Sequence, residues 1–153
     1  MSRILASIPA VFLLGPVLTD PAYILGPGAD SQVLFAAFLD LITALACIGT
    51  AVALYPVIRR QSSAASIGFI ATRSFEGAVI VIGVVSIMAV VALRQAGAVA
   101  GSDASALAAV GQGLVAVRDA TFLVGPGVMP GLNALLLGYA LYRSRLVPQA
   151  IPA

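Results

Sequence analysis

The chain has 153 residues, of which 61% are hydrophobic and only 9% charged, against roughly 45–50% and 25% in soluble domains. Its net charge of +2 comes entirely from arginine, and no basic patch is interleaved with aromatics, so nothing points to nucleic acid as a partner. About one domain's worth of chain is almost wholly apolar, which leaves no stretch for a soluble catalytic domain. The expectation is one integral membrane domain over 1–153.

Three stretches carry no charge at all, Leu41–Ile58, Gly77–Leu93 and Ala120–Tyr142, and Ile4–Thr19 makes a shorter fourth. A run of about 18 or more apolar residues is enough to cross a bilayer as a helix. Arg3 followed by Ile4–Leu18 has the charged start and apolar body of a secretory signal, but no small-x-small cleavage site precedes Asp20. An uncleaved first helix is expected, distorted by Pro9 and Gly15-Pro16. Thr19–Ser31 reads as an external loop, and Asp30 or Ser31 is placed to cap the next helix. Helix 2 is predicted from about Val33 to Tyr55, ended by Pro56 and Arg59-Arg60-Gln61-Ser62-Ser63. Helix 3 is predicted from about Ile67 to Leu93, stopping at Arg94, with Ser102 or Asp103 capping the next helical stretch. Cys47 lies inside an apolar run and reads as a small buried hydrophobe.

The last third admits two topologies. Ala106–Val124 is long enough to span but contains Arg118-Asp119, and Gly125-Pro126-Gly127 and Pro130-Gly131 come after it. Either Ala106–Val124 crosses and turns back in a hairpin at Gly125–Gly127, giving five spans, or it lies at the outer surface and a broken helix over Phe122–Tyr142 returns inside, giving four. Arginines in short loops favour the cytoplasmic side. With the N-terminus cytoplasmic, four spans place Arg3, Arg59, Arg60, Arg143 and Arg145 all inside. Tyr55 before Arg59-Arg60, and Tyr139 and Tyr142 before Arg143 and Arg145, match a membrane edge. The predicted fold is therefore all-α, a polytopic transmembrane bundle of four to five spans with a Gly-Pro-Gly break, located multi-pass in the cell membrane.

Several blocks resemble one bacterial membrane family: Gly49-Thr50-Ala51-Val52-Ala53-Leu54-Tyr55-Pro56-Val57-Ile58-Arg59-Arg60-Gln61, Arg73-Ser74-Phe75-Glu76, Val117 to Gly127 (VRDATFLVGPG), and Leu136 to Pro148 (LLGYALYRSRLVP). The chain resembles the family catalogued as domain of unknown function 4386, along nearly its whole length, in the form of a member shortened at its ends. The resemblance implies a membrane location and a helical bundle, and assigns no activity.

Ionisable residues inside spans cost about 2.5–3.5 kcal/mol each on insertion scales and therefore mark sites. Asp40 lies in helix 2 with no base near it on that helix. Arg73 and Glu76 are three residues apart on one face of helix 3. Arg118 and Asp119 precede the Gly-Pro-Gly segment, and Asn133 lies beyond it. Arg73 and Glu76 read as a self-neutralising pair near the inner interface, with Arg73 reaching to headgroups, or else as the lining of a cavity or proton path. Antiparallel helices place Asp40 and Arg73 roughly 10–15 Å apart along the membrane normal. Arg118 or Asn133 is thus the better partner for Asp40. Ala46, Gly49 and Ala53 on helix 2, with Gly77 and Gly83 on helix 3, permit close packing. The Gly125-Pro126-Gly127 segment reads as a helix stop or as the broken helix of a transporter.

The chain has no histidine and one cysteine, so histidine-ligated haem, Ser-His or Cys-His nucleophiles and a conventional zinc site are excluded. No phosphate-cradling GxxxxGK[ST] occurs, and Gly111-Gln112-Gly113 lacks a dinucleotide fingerprint. No cofactor and no enzymatic activity are expected. The leading expectation is a non-enzymatic module that binds lipid, partner helices or a second copy of itself. The alternative is a small transporter or channel using Asp40, Arg73 and Glu76.

Overall fold

A computed structural model describes residues 12–20, 23–26, 29–100 and 103–144. Arg3, the start of the predicted first helix with Pro9, Ser102 and Arg145 lie outside the described residues. So does the side chain of Arg143. Among the described residues every regular element is helical. Helix α1 covers 12–19, a short 3-10 turn comes next at Tyr23–Leu25, and α2 runs Asp30–Arg59. Helix α3 spans Ser63–Ala100 and α4 spans Ala104–Phe122. A π-helical segment, Leu123–Val128, joins α4 to α5, Met129–Ser144.

Three helical stretches are long and apolar enough to cross a membrane: Asp30–Arg59, Ser63–Gly97 and Ala104–Tyr139. The protein is a membrane-embedded helical bundle. Its lipid-facing character stems from large apolar side chains left outside the bundle, such as Phe35, Leu45, Val85 and Leu135, a surface that water would not tolerate.

Helices α2 and α3 form an antiparallel pair. The turn between them closes when the amides of Gln61 and Ser62 both donate to the carbonyl of Ile58. The Ser62 hydroxyl then accepts from the amide of Ala65 at 3.2 Å and caps α3. Helix α2 runs longer than its predicted Val33–Tyr55 because Pro56 is carried inside its last turns. Helix α3 likewise extends past Arg94. The rod from α4 to α5 runs back along α3, so α3 is the central element. Leu107 meets Gly97, Arg118 meets Gly83, and Leu136 meets Gly68.

Helix packing in lipid depends on backbones approaching closely. A Cβ on Gly77 would lie 3.2 Å from the Ala44 carbonyl oxygen, so this glycine brings α2 and α3 together. Gly49 faces open space and has no such role. The small residues Ala37, Ala44 and Cys47 pack on Ile80 and Val84 at mid-bundle. At one end Ile58, Ala65 and Phe69 form a cluster. At the other, Leu14 and Val17 of α1 and Ile24 of the turn pack among Val33, Ala36, Ile87 and Val90.

Two local expectations are corrected. Neither Asp30 nor Ser31 caps α2: the cap position is Ala29, without a side-chain bond, because the Asp30 carboxylate is drawn to Arg94. Asp103 does cap α4, accepting from the amide of Ser105 at 2.9 Å. The Ser105 hydroxyl, which also donates to it at 2.9 Å, and then that amide bond hold the exposed Asp103 carboxyl below the usual carboxylate range. The second correction concerns Gly125-Pro126-Gly127. It neither stops the helix nor forms a hairpin, because the rod continues through it as a π turn. Proline lacks the N–H for an α-helical bond and crowds the preceding turn, and a wider turn relieves both.

Candidate functional site

Charged and polar side chains inside the bundle gather at three levels along α3. At the end shared by the starts of α2 and α4, Arg94 donates from Nε to Asp30 Oδ1 at 2.9 Å and from Nη2 to Oδ2. Its Nη1 donates to the Gly26 carbonyl at 2.7 Å, and Gln95 donates to Asp30 at 2.9 Å. The Tyr23 hydroxyl also donates to Asp30, at 3.1 Å. Burial, and then this bond to a carboxylate, push the Tyr23 phenol up to about 12. The group ties the turn after α1 to the ends of α2 and α3.

At the middle level Asp40 of α2 meets Arg118 of α4, with Nη2 donating to Oδ2 at 2.8 Å. Both side chains are buried, 10% and 6% exposed. Gly83 makes the contact possible: a Cβ there would stand 3.0 Å from Arg118 Cδ and 2.8 Å from Thr121 Oγ1. The missing side chain is the channel through which Arg118 crosses α3 to reach Asp40. The Phe122 ring covers the guanidinium at 4.8 Å, a cation–π contact that strengthens out of water. Arg118 Nε is buried without a hydrogen-bond partner among the described residues.

At the third level Arg73 donates to Glu76 Oε2 at 2.7 Å and to Thr50 Oγ1 of α2 at 2.6 Å. Asn133 of α5 donates to the same Glu76 oxygen at 2.9 Å, and its own oxygen lies 2.5 Å from the Thr72 hydroxyl. Glu76 and Arg73 are only 1% and 4% exposed. The cluster joins α2, α3 and α5, and Arg73 turns into the bundle instead of reaching headgroups.

The π segment explains how Asn133 arrives there. Along the rod the buried positions Gly111, Arg118 and Gly125 recur every seven residues, and the next, Asn133, comes after eight. A π turn adds one residue to a helix. With none, Leu132 would hold the inward position and Asn133 would be rotated by about 100° away from Glu76.

Of the residues singled out from the sequence, Asp40 pairs with Arg118 as the axial spacing suggests, while Asn133 serves Glu76 instead of Asp40. Asp119 joins neither group. It is exposed beside a cavity of about 200 Å³ between the N-terminal segment and α4. Thr50, Thr72 and the Asp30–Arg94 group escape sequence reasoning. The signal for Thr50 and Thr72 is a hydroxyl amino acid within an apolar helix, which ordinarily does no more than bond its own backbone. Among the described residues no three His, Cys, Asp or Glu side chains converge as metal ligands do.

The family described as Domain of unknown function (DUF4386) matches residues 3–153. The chain belongs to that family. No curated protein and no solved structure matches it. The protein is thus an integral membrane member of DUF4386, and its helical bundle and membrane-crossing helices agree with what the resemblance implies.

Proposed function

We propose that this protein is a non-enzymatic membrane module, an accessory or assembly component that binds lipid and partner helices. In it Asp40, Arg73, Glu76, Arg118 and Asn133 act as internal bonds of the bundle. The observation that carries this is the buried contact between Asp40 and Arg118. A transporter or enzyme needs its intramembrane charges free to meet a substrate or proton, whereas these are taken up by one another. The least covered helix is the rod Ala104–Tyr139, with 11% of its apolar window buried against 56% for Ser63–Gly97. Its bare side is where a partner helix, in another protein or a second copy, would pack.

The same proposal places the protein in the cell membrane with four crossings, the first helix expected from the sequence making the first and the rod the last. Both termini are then cytoplasmic. The support is the arginine distribution: Arg59 and Arg60 at the end of α2 and Arg143 near the end of α5 share one end. Arg94 at the other is neutralised by Asp30. In a Cys47→Ser background, a membrane-impermeant maleimide should label Ser105→Cys in intact cells and Ser62→Cys only after lysis.

The decisive experiment is proton flux in vesicles containing the purified protein, run beside its unfolding equilibrium. Wild type and Asp40→Asn should leak no faster than empty vesicles, while the variant loses about 3 kcal/mol of stability, the low end for breaking one half of a buried pair. A wild-type flux that Asp40→Asn abolishes would overturn the proposal in favour of transport.

A further inference from the structure

Every charged side chain described in the interior of the bundle has an opposite charge against it: Asp30 with Arg94, Asp40 with Arg118, Glu76 with Arg73. Asp119 does not. It lies in the membrane-crossing stretch Ala104–Tyr139, roughly 22 Å along the helix from its start. No hydrogen bond or ion pair reaches it from the described residues. Its neighbour Arg118 is turned through the bundle to Asp40. A lone carboxylate inside the lipid-facing band is costly unless something cationic meets it.

Beside Asp119 is a cavity of about 200 Å³. Its walls are chiefly apolar, from Val17, Ile24, Val90 and Val115, with Gln112 adding an amide on the Asp119 side of α4. Gly111 shapes one wall: a Cβ there would fall 2.9 Å from Ile24 Cδ1, so only glycine lets the turn settle against α4. Asp20 also borders the space but is engaged in an interaction of its own. Among the described residues no basic side chain lines the cavity. A small apolar chamber with one available carboxylate matches a monovalent ammonium on a short hydrocarbon body.

We propose that this cavity is a binding site for a protonated alkylamine, with Asp119 as its counter-ion and the apolar walls holding the hydrocarbon. The proposal deepens the module reading by naming a ligand class at a place its internal ion pairs do not touch. The ammonium can come from a free amine or from an ethanolamine headgroup inserted from the outer leaflet.

The test is calorimetric titration of the purified full chain in phosphatidylglycerol nanodiscs with n-hexylammonium and with n-hexanol, its uncharged counterpart. Hexylammonium should bind the wild type more tightly than hexanol, and Asp119→Asn should weaken the amine by about tenfold or more while leaving hexanol unchanged. Ala116→Leu, which fills the cavity without removing the charge, should weaken both, and it keeps the test decisive if Asp119→Asn fails to fold. Repeating the titration with ethanolamine lipid present assigns the source: competition identifies the headgroup, and an unshifted curve identifies the free amine. Equal binding of hexylammonium and hexanol, or amine binding indifferent to both substitutions, overturns the site. Proton flux through wild-type vesicles bears only on the module reading, so the two proposals fail separately.

Discussion

Gly83 shows how a residue with no side chain governs two that have them. Arg118 must cross α3 to reach Asp40, and a methyl group at position 83 would press on Arg118 Cδ and, closer still, on Thr121 Oγ1. Thr121 cannot yield easily, since its hydroxyl is bonded to the Arg118 carbonyl at 2.7 Å. Gly83→Ala should therefore cost about 1–3 kcal/mol by overpacking. Gly113→Ala, whose Cβ meets nothing, should gain up to about 1 kcal/mol from helix propensity. Unfolding equilibria of the two variants in mixed micelles check both signs. Tyr23 supplies a second residue-level prediction, in pH. Its phenol is raised from the usual 10 to about 12, so the folded state holds the proton more tightly than the unfolded state does. The corresponding stability is fully present below pH 10 and is lost as pH rises from about 10 to 12. Tyr23→Phe should remove that fall, measured as unfolding free energy across the same window.

Among the elements, the π segment Leu123–Val128 decides which side of α5 faces inward. Deleting Pro126 removes both the extra residue and the proline, so the seven-residue recurrence of Gly111, Arg118 and Gly125 should extend unbroken to the asparagine. The variant should keep its bundle, with stability within about 1 kcal/mol of wild type. Inserting an alanine after Val128 does the reverse. It rotates Asn133 by about 100° and strands the Glu76 carboxylate and Thr72, at a cost of about 1–3 kcal/mol. Deletion and insertion costing the same would show that Asn133 contributes nothing through its position. The π turn also marks where sequence reasoning runs out. A Gly-Pro-Gly sequence reads as a stop because proline cannot continue an α-helix, but a wider turn satisfies the same constraint, and no residue pattern announces it. The Asp40 pairing is legible because axial rise along an antiparallel pair is simple arithmetic, and because helix 2 offers Asp40 no base of its own. The Asn133 pairing is not, since it depends on an eight-residue interval that only the π turn makes sensible. Asp30 misleads as a cap for a related reason: local chemistry favours capping, and an arginine 64 residues away outweighs it.

At the scale of the molecule, the apolar side chains left outside the bundle define where lipid must lie. On α3 they run from Ile67 to Met88 and on α2 from Leu34 to Val57. At 1.5 Å per residue these bands are about 32–35 Å tall, close to the roughly 30 Å hydrocarbon core. The remaining length of α3 projects beyond the band at the end where α1 and the Tyr23–Leu25 turn pack against it. Arg94 stands on that edge, and its ion pair with Asp30 is where charge first becomes admissible. Val85 lies within the band and faces outward, 58% exposed. Val85→Arg should lower membrane insertion by about 2.5–3.5 kcal/mol, the central-position cost of arginine on insertion scales. Ala96 is also exposed on α3 but beyond the band, and Ala96→Arg should cost almost nothing. An insertion assay on α3 within the whole chain reads both. Equal tolerance at the two positions would mean that the outward stripe around Val85 faces water or a polar partner, and the lipid boundary drawn from the exposed apolar residues would be wrong. A large difference would fix the depth of every buried pair at once. The Asp40–Arg118 contact, at the level of Gly83 on α3, would then lie roughly 8–9 Å inside the edge of the band nearer Arg94, where a bare charge is still costly and a mutual pair is needed.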